Sequence, residues 1–455
     1  MLPQTRSPAP GASASRSRSA GVPRFTLLLM VLLVLGVAVR LPFLPRLGHA
    51  YDQNAYRAWM GAIQDYGLAE VFERTNTDYV GYHYILWGLA QVYSGRASEV
   101  GVHDKELRVM LKLPGLIGDL LTGALVAVVA RAVAQGQIAR LGGRWRALGV
   151  RLCVTPPEAI GLAAAALFLF NPAVLYASAY WGQQDSLVTF FMLLACWLSW
   201  RRLPGWAGAA LALGTIVKPQ PLVLVPLLAW IVWQRTSWSG LLRGSLAGVA
   251  VLIAGHAYFL LTGSGERMWQ IYTFQLAQNE HLSFGAYNLW WPFERLADAR
   301  PKTAIVSAGG ASLTYGLLAT ALTVAVLGLA WLIVRRGGAT AMLAGVGVWL
   351  AGYYLVGAGA HERYALPALA FLLAALPLAP RLRWPLLLYS AALLANLLIA
   401  LPLDRRWHQG DPLWLTTVVS VAAVVSVVGL GWVAAYLTPR PPSLARKGEY
   451  TLTDG

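Results

Sequence analysis

The chain alternates long apolar runs with short polar connections from residue 25 almost to its end. The first run, Phe25 to Leu44, is long enough to cross a bilayer, which takes about 20 helical residues. Because such runs recur, we predict an all-α polytopic bundle of transmembrane helices with about 12 spans. We place the spans at residues 25–44, 110–130, 157–176, 185–200, 205–218, 220–234, 241–262, 312–334, 340–357, 364–380, 384–403 and 412–436.

Composition supports this interpretation, since apolar residues make up 57% of the 455 residues and the mean hydropathy is +0.55. A net charge of +16 would suggest nucleic acid in a soluble protein. Here most Lys and Arg lie in short connections between apolar runs, where they orient a membrane protein. We therefore predict a multi-pass protein of the cell membrane with both termini cytoplasmic and no nucleic-acid partner.

The same pattern divides the chain into three parts. Residues 1–24, rich in Ser, Pro and Arg, are expected to form a disordered basic cytoplasmic tail. Residues 25–437 form the transmembrane module, with outward loops at 45–108 and 263–311. The first of these loops is expected to be helical or irregular, and residues 438–455 form a second cytoplasmic tail.

Candidate chemistry is concentrated in the first outward loop, from Tyr51 to Tyr84. This loop combines acids, amides and aromatic rings, a mixture that suits a sugar, with rings for its apolar faces and polar groups for its hydroxyls. A tyrosine and a solvated acid at a membrane interface would be the simpler interpretation. The candidates are Tyr51, Asp52, Arg57 and His83, with Asp65 and Asp78 as alternative acids.

Asp119 lies within an apolar run, KLPGLIGDLLTG. A buried carboxylate is costly unless it faces a cavity or has a partner. It could bind substrate, or it could form a structural ion pair, for example with Lys112 or another helix end. The sequence leaves both open.

Four later motifs place polar residues at the predicted outer face. Each has a simpler interpretation: a turn, a lysine reaching the interface, an aromatic belt and a self-neutralising charge pair. Their number and common side favour binding. The candidates are Tyr180, Trp181, Gln183, Gln184 and Asp185, then Lys218 and Gln220, then Asn288 and Trp290, then His361, Glu362 and Arg363.

Metal-binding motifs are absent from the sequence, since neither HExxH nor CxxC occurs. No cofactor follows from the residues with certainty. A divalent cation held by one or two carboxylates together with substrate oxygens stays open.

The motifs taken together resemble those of bacterial membrane glycosyltransferases of the GT-C superfamily, near the mannosyltransferase-like proteins related to the GPI-anchor enzymes. The resemblance rests on an early outward Asp, then YWGQ(x)D, KPQ, AYNLWW and HERY, in that order. It covers residues 25 to about 400.

This resemblance implies an inverting transfer of mannose, or a similar hexose or pentose, from a polyprenyl-phosphate donor. The acceptor would be an envelope glycan, lipid or protein at the outer face of the membrane, with membrane lipids as neighbours. Asp52 takes the role of the base, and Asp185 matches the acid and Gln183 the amide of YWGQ(x)D. Lys218, His361 and Arg363 match positions near the lipid phosphate or pocket.

Two other functions fit an apolar chain with polar clusters. A transporter or flippase for a lipid-linked sugar would distribute polar residues through the depth of the bilayer. A membrane scaffold would need no catalytic cluster. Because the polar motifs gather on one predicted face, we favour the enzyme.

Overall fold

The computed structural model describes residues 23–75, 79–277, 280–308, 310–401 and 412–437. Nearly all of the predicted N-terminal tail, the whole C-terminal tail and the alternative acid Asp78 lie outside these ranges. The described chain is mostly helical, in agreement with the predicted helical membrane bundle.

Eighteen α-helices follow one another in the described residues. Their bounds are α1 Arg24–Arg40, α2 Ala50–Tyr66, α3 Val71–Arg74, α4 Val80–Ala90, α5 Lys105–Gln135, α6 Gly143–Leu152, α7 Pro156–Leu169, α8 Pro172–Leu175, α9 Asp185–Trp200, α10 Pro204–Val217, α11 Val225–Leu261, α12 Gly265–Ala277, α13 Trp291–Ala297, α14 Tyr315–Val334, α15 Ala339–Val356, α16 Leu366–Ala375, α17 Arg383–Ala400 and α18 Leu413–Leu437.

The predicted number of about twelve spans is not confirmed. In the described ranges, six helical segments are long and apolar enough to cross a membrane, or seven if the bent pair α6 and α7 counts as one. The six are Lys105–Gln135, Gln220–Leu261, Tyr315–Val334, Ala339–Val356, Pro380–Ala400 and Leu413–Ala435. The apolar helices α9 and α10 are shorter, with 16 and 14 residues.

Helices shorter than their predicted spans account for most of the difference, for example α1 with 17 residues and α16 with 10, and backbone breaks account for the rest. The run predicted to span 157–176 ends as an α-helix at Leu169, because Pro172 starts a new turn that continues into a π-helix, Tyr176–Trp181. The predicted spans 220–234 and 241–262 form one long segment that kinks at Ser237, whose φ is +66°. The break at Ser237 falls in the connection predicted between these two spans, whereas hydropathy does not locate the break at Pro172.

Four short β-strands accompany the helices in the described residues, which leaves the all-α prediction in place. Strands β1 Ser283–Phe284 and β4 Ala360–His361 pair in parallel, with Phe284 opposite His361. Strands β2 Ala304–Ala308 and β3 Ala311–Thr314 form an antiparallel hairpin. Both pairs involve the predicted outward segment 263–311, where the chain alternates helix and strand.

The packed centre of the bundle is formed by α15 and α16, in which nearly every residue is buried. Small residues allow this close contact, for example where Gly347 faces Leu372 with no room for a β-carbon. The long helix α5 packs against α7 and α9. Helices α5 and α16 run between the two ends of the bundle. The candidate site lies at the end where α16 begins.

Candidate active site

Asp52 lies in the first turn of α2, where the helix dipole favours a carboxylate. His49 precedes the helix, and its Nδ1 lies 3.3 Å from the Asp52 backbone N and 3.4 Å from Asp52 Oδ2. Two donors from a distant segment reach the Asp52 Oδ2 atom: Trp181 Nε1 at 2.8 Å and Gln183 Nε2 at 2.5 Å. The Asp52 side chain remains 15% exposed. Thus the first outward loop and the YWGQ(x)D motif meet at one carboxylate.

The π-helix Tyr176–Trp181 and the residue after it set this geometry. Gly182 has φ +97°, a conformation that favours glycine, and a β-carbon there would lie 2.4 Å from Gln53 Nε2. The turn ends the π-helix and leads Gln183 toward Asp52. Tyr56, four residues after Asp52 on α2, donates its hydroxyl to Gln184 Oε1 at 3.1 Å and contacts Gln183 Oε1 at 3.4 Å.

Asp185 is the first residue of α9 and pairs with Lys218, which follows the last residue of α10. The Lys218 Nζ atom lies 2.6 Å from Asp185 Oδ1, and both side chains are almost fully buried. A carboxylate at a helix start and a cation at a helix end both match the helix dipoles. The second carboxylate oxygen of Asp185 is buried and makes no hydrogen bond within the described structure.

Arg363 connects the two carboxylates. Its Nε lies 3.7 Å from Asp185 Oδ2 and its Nη1 lies 4.0 Å from Asp52 Oδ2, while Nη1 donates to Glu362 at 2.7 Å. Its side chain is 18% exposed, and Nε is buried without a hydrogen bond in the described residues. We call Asp52, Asp185, Lys218, Glu362 and Arg363 the acid–base cluster; it holds three carboxylates and two cations.

The electrostatics of the cluster affect Asp52 most clearly. Burial raises the pKa of the Asp52 carboxyl, but the hydrogen bond to His49, the charge of Arg363 and the Trp181 N–H outweigh burial. The net result holds this pKa well below its usual range, so Asp52 is ionised at neutral pH.

The turn that carries Glu362 and Arg363 is fixed from outside the cluster. Strand β4 precedes it and pairs with β1, and the His361 ring stacks on Phe284 at 5.1 Å between centroids. Glu294 anchors β1 by accepting the backbone N–H groups of Leu282 and Ser283 at 2.9 and 2.8 Å. The outward segment therefore supports Arg363 through a strand pair.

Asp119 does not belong to the cluster. Arg40, the last residue of α1, donates its Nε to Asp119 Oδ2 at 2.7 Å, and both side chains have zero exposure. Ser178 also donates to this carboxylate. The structural interpretation of Asp119 applies, with Arg40 as the partner. Lys112, named as the example partner, donates instead to backbone carbonyls, including Tyr180 O at 2.7 Å.

Several other predicted binding residues have structural contacts outside the cluster. Arg57 donates to the carbonyls of Ala97 and Val100. His83 is fully buried and lies edge-on to the rings of Trp59 and Phe72. Asn288 Nδ2 and Trp290 Nε1 donate to the carbonyls of Tyr354 and Val356, respectively.

The remaining candidates lie beside the cluster. Tyr51 is 71% exposed next to Asp52, and Tyr180 stacks on Tyr176 next to Trp181. Gln220 opens the 3-10 turn after Lys218, and its Oε1 is buried without a hydrogen bond in the described structure. His361 Nδ1 lies 3.9 Å from Glu362.

Sequence reasoning missed four residues that shape this region: His49, Tyr56, Arg40 and Glu294. Helical spacing gives a signal for two of them, because His49 lies three residues before Asp52 and Tyr56 four residues after it. Arg40 and Glu294 give no comparable signal, since their partners are distant in sequence or are backbone atoms.

A protein-held metal finds no support among the described residues, where no group of three or more His, Cys, Asp and Glu side chains is placed to bind one. The cluster does offer an ionised carboxylate beside two cations. In such an arrangement the carboxylate can take a proton from a hydroxyl, and the neighbouring cations can bind an anionic oxygen.

Comparison with known families gives one match. A sequence model of glycosyltransferase family 87 matches residues 109–356, more than half of the chain. The match contains Asp185 and Lys218 and excludes Asp52 and Arg363. No curated protein matches the chain. The family match supports a glycosyltransferase and does not favour the transporter alternative.

Proposed function

Because the chain belongs to glycosyltransferase family 87, we propose that it transfers a sugar from a polyprenyl-phosphate donor to a glycan, lipid or protein of the cell envelope. The sugar is mannose or a similar hexose or pentose, the reaction inverts the anomeric carbon, and the enzyme is of the GT-C type. The observation that carries the proposal is the acid–base cluster, where Arg363 lies between Asp52 and Asp185.

The reaction assigns each charged group a role. The acceptor hydroxyl attacks the anomeric carbon while the bond from that carbon to the phosphate oxygen breaks. As the new bond forms, the hydroxyl proton passes to Asp52. The departing lipid phosphate gains negative charge, which Arg363 and Lys218 stabilise. Asp185 holds Lys218 in place through their 2.6 Å contact.

Arg363 also explains how a carboxylate with a lowered pKa serves as a base. In the free enzyme the charge of Arg363 contributes to the low pKa of Asp52. A bound phosphate neutralises part of that charge, which raises the pKa of Asp52 and makes it a stronger base. Donor binding therefore prepares the base for the acceptor.

The long apolar helices around the cluster fit a lipid-linked donor. The cluster lies at one end of a bundle whose helices α5, α15 and α17 are long and apolar enough to cross a membrane. A polyprenyl tail would lie along the exposed apolar side chains of α5 and α17, such as Ile117 and Leu398, with its phosphate at the cluster. The proposal places this end at the outer face, with the termini on the cytoplasmic side.

The decisive experiment compares Asp52→Asn with Asp65→Asn in proteoliposomes supplied with synthetic polyprenyl-phosphate mannose and extracted envelope glycans. Both acids lie on α2, but Asp65 forms an ion pair with Arg96 at 3.6 Å, and the Arg96 side chain is 64% exposed. Loss of a general base lowers the rate by about 10²- to 10⁴-fold. We expect that loss for Asp52→Asn and wild-type transfer for Asp65→Asn.

Two results would overturn parts of the proposal. Wild-type transfer by Asp52→Asn would remove Asp52 as the base. Transfer from nucleotide-linked mannose but from no polyprenyl-phosphate sugar would remove the lipid donor. Mass spectrometry of envelope glycans from cells with and without the gene identifies the sugar that is missing.

A further inference from the structure

A second site candidate lies at the opposite end of the bundle from the acid–base cluster. Helix α16 shows this directly, because Arg363 precedes its first turn and Pro377 follows its last. Pro377 lines a groove of about 740 Å³ between α6 and the connection from α16 to α17. Gln137, beyond the carboxyl end of α5, lines it as well. The groove is therefore separated from the cluster by at least the length of α16, ten residues or about 15 Å.

The charged residues lining the groove have one sign. Arg144, Arg381 and Arg383 line it, all three are exposed, and no Asp or Glu is among the lining residues. Within the described ranges, none of these arginines forms a salt bridge with an acid. Three cations without acidic partners create a positive potential that attracts an anion.

The position of the groove favours a lipid over a soluble anion. It lies where α17, part of the apolar segment Pro380–Ala400, begins, so it is at the boundary expected between membrane and water. Trp384 lines it and is 66% exposed, and Trp145 lies on the other side. An exposed tryptophan such as Trp384 beside arginines at a helix end is typical of contact with lipid headgroups.

We propose that this groove binds the phosphate headgroup of an anionic membrane lipid. The arginines would contact the phosphate oxygens, and the tryptophans would lie at headgroup level beside the lipid. Helix α6 adds its uncapped amino-terminal N–H groups, since Gly142 and Gly143 also line the groove. The site is independent of the transferase reaction.

The test measures lipid retention by native mass spectrometry of the full chain in detergent, with phosphatidylglycerol and phosphatidylcholine as probes. The test variant is Arg144→Gln/Arg381→Gln/Arg383→Gln. The matched control is Arg146→Gln/Arg151→Gln/Arg201→Gln, which removes the same charge from three exposed arginines outside the groove.

We expect the wild type and the control to prefer phosphatidylglycerol, and the test variant to bind it about a hundredfold more weakly, from the usual contribution of an arginine near an anionic lipid. Each single substitution should weaken binding by about fivefold on the same basis, which keeps the test valid if the triple variant does not fold.

Three results would overturn the proposal. One is an equal loss in the control, which would indicate a general charge effect. Another is equal retention of phosphatidylcholine by the wild type. The third is displacement of phosphatidylglycerol by an equal concentration of glycerol 3-phosphate, which would indicate a site for a soluble phosphate.

Discussion

Two arginines, Arg40 and Arg363, meet carboxylates in different ways. All three guanidinium nitrogens of Arg40 are used: Nε by Asp119, Nη1 by Gly36 O and Nη2 by Leu169 O. Its side chain has zero exposure. Arg363 makes one short contact, to Glu362, and lies 3.7 and 4.0 Å from two other carboxylates with 18% exposure.

The difference separates a structural charge from one that can bind a ligand. Arg40 uses three of its five N–H donors and has zero exposure, so no further anion can reach it. At Arg363 the longer separations and the unpaired Nε leave that capacity, and the side chain is reachable from outside. Asp119 keeps one buried oxygen without a hydrogen bond, but no access leads to it.

The largest effect that tests this comparison is on stability at Arg40. Arg40→Met leaves Asp119 buried without its cation, which costs about 3–5 kcal/mol when one partner of a buried pair is removed. We expect a corresponding fall in the free energy of unfolding, measured by SDS titration in detergent micelles. The double variant Arg40→Met/Asp119→Leu should recover most of the loss. Wild-type stability of Arg40→Met would contradict the structural role.

The second effect is on activity at Arg363. Arg363→Lys keeps the charge but loses the planar group that reaches Asp52 and Asp185 at once. Removal of one transition-state donor costs about 10²- to 10³-fold in rate. We expect a fall of that size in kcat/KM for sugar transfer, with a smaller loss of stability than in Arg40→Met.

The control for this prediction is Arg96→Lys, at an arginine that is 64% exposed and pairs with Asp65 and Glu99 at the surface. Such pairs contribute little, about 0–1 kcal/mol, so both activity and stability should stay at wild-type values. If Arg363→Lys transfers sugar as fast as this control does, the cluster does not act on the phosphate.

Sequence patterns were sufficient to predict a helical membrane protein and to place Asp52, Asp185, Lys218 and Arg363 on one face, where the structure brings them together. Each of these residues ends or begins an apolar run, so its depth in the membrane follows from hydropathy. Their catalytic roles stay predictions. The family match supports the glycosyltransferase class, but the matched residues, 109–356, do not include Asp52 or Arg363.

The remaining features depend on contacts that no local pattern records. Asp119 and Lys112 both lie on α5, but Asp119 pairs with Arg40 of α1, a contact that depends on how α1 and α5 pack against each other. Strand β1 has two residues, too few to show the alternation of a strand. The predicted number of spans is not confirmed, and the run predicted as 157–176 shows one reason, since a π-helix after Pro172 changes the course of the chain inside that run.

The smallest expected effect is a shift in pH dependence caused by His49. Asp52 has a lowered pKa, so the kcat/KM of the wild type should stay unchanged as the pH falls below about 3.9, the usual pKa of an aspartate. His49→Phe keeps a ring on Trp181 but removes the hydrogen bond that lowers this pKa. The acid limb of the kcat/KM profile should then move to higher pH. The exposed His103→Phe is the control, and an acid limb that stays at the same pH in His49→Phe would show that His49 does not tune Asp52.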